Sequence, residues 1–328
     1  MKAMHDNLLG IRDLKVWYRT YEGFAKVVDG VNISVGVGQK IGLVGESGCG
    51  KTTTMKAILR ILDARKAHIP GGEIFFKDSD VLKMNQPELQ GIRQKSISMI
   101  SQEPSVALDP VFTVGEQILD VIRYSGRFDR GAKKSEMLEA AAKAIGSVMI
   151  PDPRRILDSY PHQLSGGMKQ RICIAMALVT PRELLIADEP GTALDVTIQD
   201  QIHRILKALV DEKRMSLIMI THSLGVAREL VDRIYVMYAG NIVETAATTE
   251  LFKHPVHPYT RGLMDCVPRL SGGGVSAGIY GYIPDYVHPT PGCRFSPRCP
   301  IATEVCQKQK PPMADIGGEH EVACFNCR

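Results

Sequence analysis

An α/β fold built on a mostly parallel sheet is what this sequence predicts, on three observations. Short apolar runs at 41–44, 97–100, 184–187, 217–220 and 234–237 are each long enough for a buried strand and too short for a typical helix. Longer stretches of helical spacing stand between them, at 51–62, 168–179 and 196–212. The first apolar run ends in a glycine-rich stretch that leads directly into one of those helical patterns.

Taken in order, the chain opens on an extended, alternating stretch, Leu14, Lys15, Val16, Trp17 and Tyr18, with a second strand pattern at 31–35. Antiparallel strands leading into the buried strand 41–44 fit that order. The segment 103–163 is helix-rich around 114–124 and 132–146, carries Pro151, Pro153 and Pro161, and reads as a helical insertion. The basic run 123–134 reads as a solvated face. Past about 270 the composition shifts. Residues 271–278 read as a linker, and the rest is rich in Pro, Cys and Tyr with little helical pattern. The chain has no internal repeat, which excludes a solenoid.

At 328 residues, 44% hydrophobic and 23% charged, the composition excludes a disordered, collagen-like or disulfide-stapled chain. The net charge of +4 is too small an excess to argue for a nucleic-acid partner. No apolar run approaches the roughly 18–20 residues that cross a bilayer. The first residues lack the apolar core of a signal peptide, so the chain is expected to stay in the cytosol, free to dock on a membrane protein. Of eight cysteines, Cys49, Cys173 and Cys266 are scattered, whereas Cys293, Cys299, Cys306, Cys324 and Cys327 crowd the C-terminal tail. In a reducing compartment such a cluster reads as metal or cluster binding before disulfides.

Gly45, Glu46, Ser47, Gly48, Cys49, Gly50, Lys51 and Thr52 fit the phosphate-loop pattern G-x-x-x-x-G-K-[ST] in full, between an apolar strand and a helix. The glycines let backbone N–H groups turn inward toward phosphate oxygens, and the helix N-terminus adds its dipole. Lys51 would reach the β- and γ-phosphates and Thr52 would ligate Mg²⁺. A second apolar strand, 184–187, ends in Asp188 and Glu189: one carboxylate for Mg²⁺, the next to polarise an attacking water. Leu164, Ser165, Gly166, Gly167 and Met168 precede a helical pattern, with Ser165 as its N-cap. Since one phosphate loop already wraps a triphosphate, this second phosphate-binding helix start would serve a nucleotide held by another subunit.

In this order, followed by Ala193-Leu194-Asp195 and Thr221-His222 and with Gln102 between the first two motifs, the chain resembles the ATP-binding-cassette ATPases over residues 8–245. The resemblance implies a phosphate-loop NTPase with a RecA-like core, an antiparallel β subdomain and a helical subdomain at about 103–163. It also implies ATP and Mg²⁺ as ligands, and a dimer that sandwiches two ATP molecules between one subunit's phosphate loop and the other's 164–168 segment. By position, Gln102 looks like the glutamine that senses the γ-phosphate, Mg²⁺ and the membrane partner. Asp195 looks like the aspartate coupling the two sites, and His222 like the histidine holding the γ-phosphate. Thr53 joins the nucleotide contacts. Tyr18 is the candidate to stack on adenine, with Trp17 and Tyr21 as rivals. Gly191 stands where a Thr often follows the family's DEP.

Beyond 245 the segment 252–263, containing His257-Pro258-Tyr259-Thr260, resembles the dipeptide/oligopeptide/nickel importer ATPases. So does the tail, with Gly292-Cys293 and Arg298-Cys299-Pro300. This divides the chain into an ATPase domain 1–245, a connecting helix 246–270 and an irregular Cys-rich extension 271–328. The resemblance implies a [4Fe–4S] cluster on Cys293, Cys299, Cys306 and Cys324, with Zn²⁺ as the alternative and Cys327 as a rival for the fourth position. That cluster is expected to stand beyond a flexible linker, away from the phosphates. The implied assembly has a second, related ATPase, two transmembrane permeases and an extracytoplasmic binding protein, with this chain peripheral on the cytoplasmic face. A soluble ATPase of the DNA-repair or Fe–S-assembly type is the competing class. The long insertions and tandem cassettes of soluble members are absent from the sequence.

Overall fold

The structure is a computed structural model that describes residues 7–126, 133–192, 194–266 and 278–327. Of the expected linker at 271–278 all but Gly278 lies outside these residues, as do 127–132 of the basic run and Ala193. The chain divides into two compact units: residues 1–84 with 219–328, and residues 85–218.

The first unit opens with β1 (Asn7–Thr20) and β2 (Gly23–Gly36), then β3 (Lys40–Val44), α1 (Lys51–Ile58), β4 (Ala67–Phe76) and β5 (Ser79–Asp80). β1 pairs antiparallel with both β2 and β4, and β4 with β5. The alternation read at Leu14–Tyr18 is real: Leu14 and Val16 are fully buried, and the residues between and after them are not. α1 stops at Ile58, short of the helical spacing that runs to 62. The reason is a Schellman closure: Arg60 takes a left-handed φ of 48°, Ile61 N–H donates to Lys56 O (3.1 Å) and Arg60 N–H to Ala57 O (3.0 Å).

The second unit holds α2 (Gln86–Lys95), β6 (Ile97–Ile100), α3 (Pro104–Ala107), α4 (Val114–Tyr124), α5 (Lys134–Ser147), α6 (Pro153–Leu157), α7 (Gly166–Leu178), β7 (Leu184–Asp188) and α8 (Val196–Lys213). β6 and β7 are parallel, with Ile100 opposite Ala187. β7 is buried along its whole length, as a strand covered on both faces must be, which is why it reads as an unbroken apolar run.

β8 (Ser216–Thr221) carries the chain back into the first unit, followed by α9 (Leu224–Leu230), β9 (Arg233–Tyr238), β10 (Asn241–Ala247), α10 (Thr248–Lys253), α11 (Pro258–Asp265), α12 (Glu304–Lys308), β11 (Ala314–Asp315) and β12 (Glu321–Val322). β3 runs parallel to β9, while β10, β12 and β11 add antiparallel strands to β9 in succession. The tail therefore joins the first unit's own sheet. A buried pair secures that join: Glu244 of β10 bonds His320 Nε2 (2.7 Å) and accepts the N–H groups of Val256 and His257. Among the described residues no helix is long and apolar enough to cross a membrane.

Candidate functional site

The phosphate-loop pattern sits where β3 ends and α1 begins, in the first unit. Two of its glycines are obligatory for different reasons. A Cβ on Gly45 would lie 2.1 Å from Met237 O, inside any allowed contact. Gly50 has φ 108°, which side-chain-bearing residues rarely adopt. α1 starts with no side-chain cap and no acidic residue in its first turn, leaving its partial positive charge available to an anion. Lys51 is 4% exposed, and its ammonium donates to Gly45 O (2.8 Å) and Glu46 O (3.0 Å), inside its own loop. Burial pushes the neighbouring Cys49 thiol up, so it behaves as a small neutral packing group. Tyr18 Oη lies 3.5 Å from Thr53 Oγ1, which brings it to the helix start beside Thr52. Its rival Tyr21 is wholly exposed. The indole N–H of Trp17 is buried without a partner. His222 follows β8 in this same unit and is exposed.

The carboxylates belong to the second unit. Asp188 ends β7 at 2% exposure and Glu189 follows at 9%, with a left-handed φ of 45°. That conformation is costly for a residue with a Cβ, and such strain gathers at functional positions. Two neutral donors hold the Glu189 carboxylate: Gln102 Nε2 (3.3 Å) and Thr192 Oγ1 (3.2 Å), both to Oε2. Because β6 and β7 are adjacent and parallel, Gln102 and Glu189 emerge side by side at their C-terminal ends, where open α/β sheets bind ligands. Thr192 is a site residue that sequence reasoning missed. The signal was the Thr one place beyond Gly191. Ser165 caps α7 by accepting the Met168 N–H (3.3 Å), with Leu164 buried beneath and Ser165 and Gly166 exposed. Asp195 caps α8 by accepting the Ile198 N–H (3.0 Å).

Residues of the tail contact the phosphate loop directly. Arg298 forms an ion pair with Glu46 (3.0 Å), Tyr286 Oη donates to Gly48 O (2.8 Å), and Tyr259 Oη accepts the Glu46 N–H (2.9 Å). Packing draws the tail in. The Tyr259 ring lies 4.7 Å from Tyr238 at the end of β9, and Phe295 lies 5.0 Å from Tyr238 on another side. Buried Arg294 donates to Lys26 O and Ala239 O and pairs with Asp29. Tyr259 and Arg298 belong to the very stretches that carried the importer resemblance, but nothing local in them announced contact with residues 46–48.

Cys293, Cys299, Cys306 and Cys324 line one small cavity together with His257 and Phe295. The expected [4Fe–4S] cluster and its zinc alternative are nevertheless not supported by the arrangement. Among the described residues no group of three or more His, Cys, Asp or Glu side chains is placed to hold a metal ion. The cavity measures about 10 Å³, room for about one water molecule. Burial pushes the Cys293 thiol up to about 11 and raises that of Cys299, and Cys327 is pushed up to about 12 by burial and its hydrogen bond with Cys324.

Comparison with known proteins joins the two motif sets. The ABC transporter family pattern matches residues 28–192, and that of the oligopeptide/dipeptide transporter C-terminal region matches 243–306. A probable peptide ABC transporter ATP-binding protein of Sinorhizobium fredii is 45% identical over 98% of this chain and 95% of its own. The dipeptide transport ATP-binding protein DppD of Bacillus subtilis is 41% identical over 98% of this chain and 95% of its own. An ATP-binding cassette solved as a post-hydrolysis dimer with ADP and Pi superposes with a TM-score of 0.65 at 24% identity, covering 73% of this chain and 98% of its own. That last likeness is one of fold.

Proposed function

The chain belongs to the ABC transporter ATP-binding family and is an ATPase, and from that premise we propose that it powers a peptide importer. It would drive two transmembrane permeases from the cytoplasmic face of the membrane. The observation that carries the reading is the C-terminal region 243–306 on the same chain as the phosphate loop and the carboxylate pair. The naming of both relatives as peptide or dipeptide transporters supports a peptide cargo. A second, related ATPase and an extracytoplasmic binding protein complete the proposed assembly.

In the proposed mechanism the loop 45–50 and the start of α1 receive the β- and γ-phosphates of ATP. Lys51 exchanges its two loop carbonyls for phosphate oxygens. Thr52, Gln102 and Asp188 would hold Mg²⁺, which supplies charge neutralisation on the phosphate oxygens when bound. Glu189 orients the water and takes its proton as the water oxygen bonds the γ-phosphorus. The bond to the β–γ bridging oxygen then breaks, leaving ADP and phosphate. The hydrogen bonds from Gln102 and Thr192 fix the acting carboxylate. His222 holds the γ-phosphate, and Tyr18 stacks on adenine, supported by its position beside Thr53. Residues 164–168 act in trans on the partner's nucleotide, and Asp195 couples the two sites.

The experiment is ATP hydrolysis and labelled-dipeptide uptake by the assembled complex in vesicles. Peptide-stimulated hydrolysis is expected. Stimulation by a sugar or nickel chelate alone would overturn the cargo. A [4Fe–4S] cluster, or Zn²⁺, on the four tail cysteines is the part of this reading that metal content tests, since the four thiols share one cavity but are not placed as ligands. Anaerobically purified protein is then expected to carry roughly four irons per chain. A single zinc would replace the cluster, and metal-free, titratable thiols would reject both.

A further inference from the structure

We propose that Arg298, with Tyr286 and Tyr259, is a positioning device for the phosphate loop, so that the Cys-rich tail sets how tightly the first unit binds nucleotide phosphates. The inference rests on the assignment of residues 45–52 to those phosphates.

Three contacts from three separated parts of the chain converge on two residues of one short loop. Tyr259 holds the Glu46 backbone N–H, Arg298 holds the Glu46 carboxylate, and Tyr286 holds the Gly48 carbonyl. Glu46 and Gly48 are positions at which the phosphate-loop pattern demands no phosphate-binding side chain. They are free to serve as handles by which the rest of the molecule fixes the loop.

The Arg298 guanidinium is itself immobilised. Its Nε donates to Tyr280 O (3.0 Å), Nη2 to Ile279 O (2.9 Å), and Nη1 to Glu46 Oε2 (3.0 Å) and Tyr238 Oη (3.3 Å). Its side chain is 6% exposed and that of Glu46 27%. A buried arginine that donates four hydrogen bonds is an anchor, unlike a surface ion pair that solvent screens. The rings of Tyr238, Tyr259 and Phe295 pack in contact beside it, which keeps the anchor points at fixed separation.

Two effects on nucleotide binding follow. A loop with glycines at 45, 48 and 50 has many conformations, and each contact that restricts it beforehand lowers the ordering cost when phosphates bind. The Glu46 carboxylate is also a negative charge beside a site for a polyanion, and Arg298 neutralises it. Loss of Arg298 therefore frees the loop and exposes an adverse charge together, and removing that charge as well should recover part of the loss. A role confined to holding the tail together would show no such recovery.

The test is titration of ADP with Mg²⁺ into the assembled transporter, beside steady-state ATP hydrolysis. Arg298→Met is expected to weaken ADP binding about tenfold, equivalent to about 1.4 kcal/mol. The rise in KM for ATP should match, and kcat should change far less. Arg298→Met combined with Glu46→Gln should bind more tightly than Arg298→Met alone, and Arg298→Lys should fall between Arg298→Met and the unchanged chain. Tyr286→Phe removes one hydroxyl without disturbing packing, and a loss of about threefold is expected even if Arg298→Met fails to fold. ADP affinity within twofold of the unchanged chain in both Arg298→Met and Tyr286→Phe would overturn the proposal. So would strictly additive losses at 46 and 298. Lys51→Ala separates the premise from the inference: if it leaves ADP affinity intact, the loop assignment itself fails, whatever Arg298 does.

Discussion

The phosphate loop of the first unit and the Glu189 carboxylate of the second are held in opposite ways. The loop is gripped from outside by residues up to 252 positions away, through a charged hydrogen bond and two hydroxyls. Glu189 is held by two neutral hydrogen bonds and by its own strained backbone. Charged hydrogen bonds contribute about 1.5–3 kcal/mol and neutral ones about 0.5–1.5 kcal/mol. The loop is thus fixed firmly, as suits a group that binds a ligand it must not lose. The hydrogen bonds from Gln102 and Thr192 to the carboxylate are of the weaker, neutral kind.

The largest effect expected on that comparison is at the carboxylate. Glu189→Gln keeps size and hydrogen bonding but removes the carboxylate proposed as the base. Hydrolysis by the assembled complex should fall by about 10²–10⁴ while nucleotide binding persists, because binding belongs to the loop. Weak ADP binding in this variant would show that the two regions are not separable. Next comes Gly45→Ala, which places a Cβ 2.1 Å from Met237 O. A displacement of the loop and a loss of about 3 kcal/mol in stability are expected, read from the urea midpoint.

Acid should act on the first unit through its His257 anchor. Burial pushes that imidazole down to about 3 from 6.5, and its Nδ1 accepts the Tyr259 N–H, which only the neutral ring can do. The unfolded chain takes up a proton near 6.5 and the folded one does not until about 3. This contribution is therefore complete above pH 6.5 and shrinks as the pH falls toward 3, by about 1.4 kcal/mol per unit. At pH 5 about 2 kcal/mol is expected to be gone. His257→Asn should flatten the dependence of the unfolding midpoint on pH. The smallest effect is expected from Thr192→Val, which removes one neutral hydrogen bond from Glu189. It should cost about 1 kcal/mol, roughly fivefold in kcat, with KM for ATP unchanged. A change in KM instead would assign Thr192 to binding.

The sequence alone determined the pieces whose chemistry is contiguous. The phosphate loop, the β7 carboxylates and the Ser165 cap could be read because each is a strand end or helix start whose few neighbouring residues dictate the backbone. The buried strands were equally legible, since a strand covered on both faces must be apolar throughout. The antiparallel additions β10, β12 and β11 were not. β10 buries Glu244, whose carboxylate is satisfied by His320, 76 positions away, and by the N–H groups of Val256 and His257. Tertiary structure alone decided that Gln102 meets Glu189 across 87 positions and that Arg298 reaches Glu46 across 252. No local pattern marks an arginine that will be buried against a carboxylate so distant. Its partner is chosen by the aromatic packing of Tyr238, Tyr259 and Phe295, which exists only once the tail has folded onto β9.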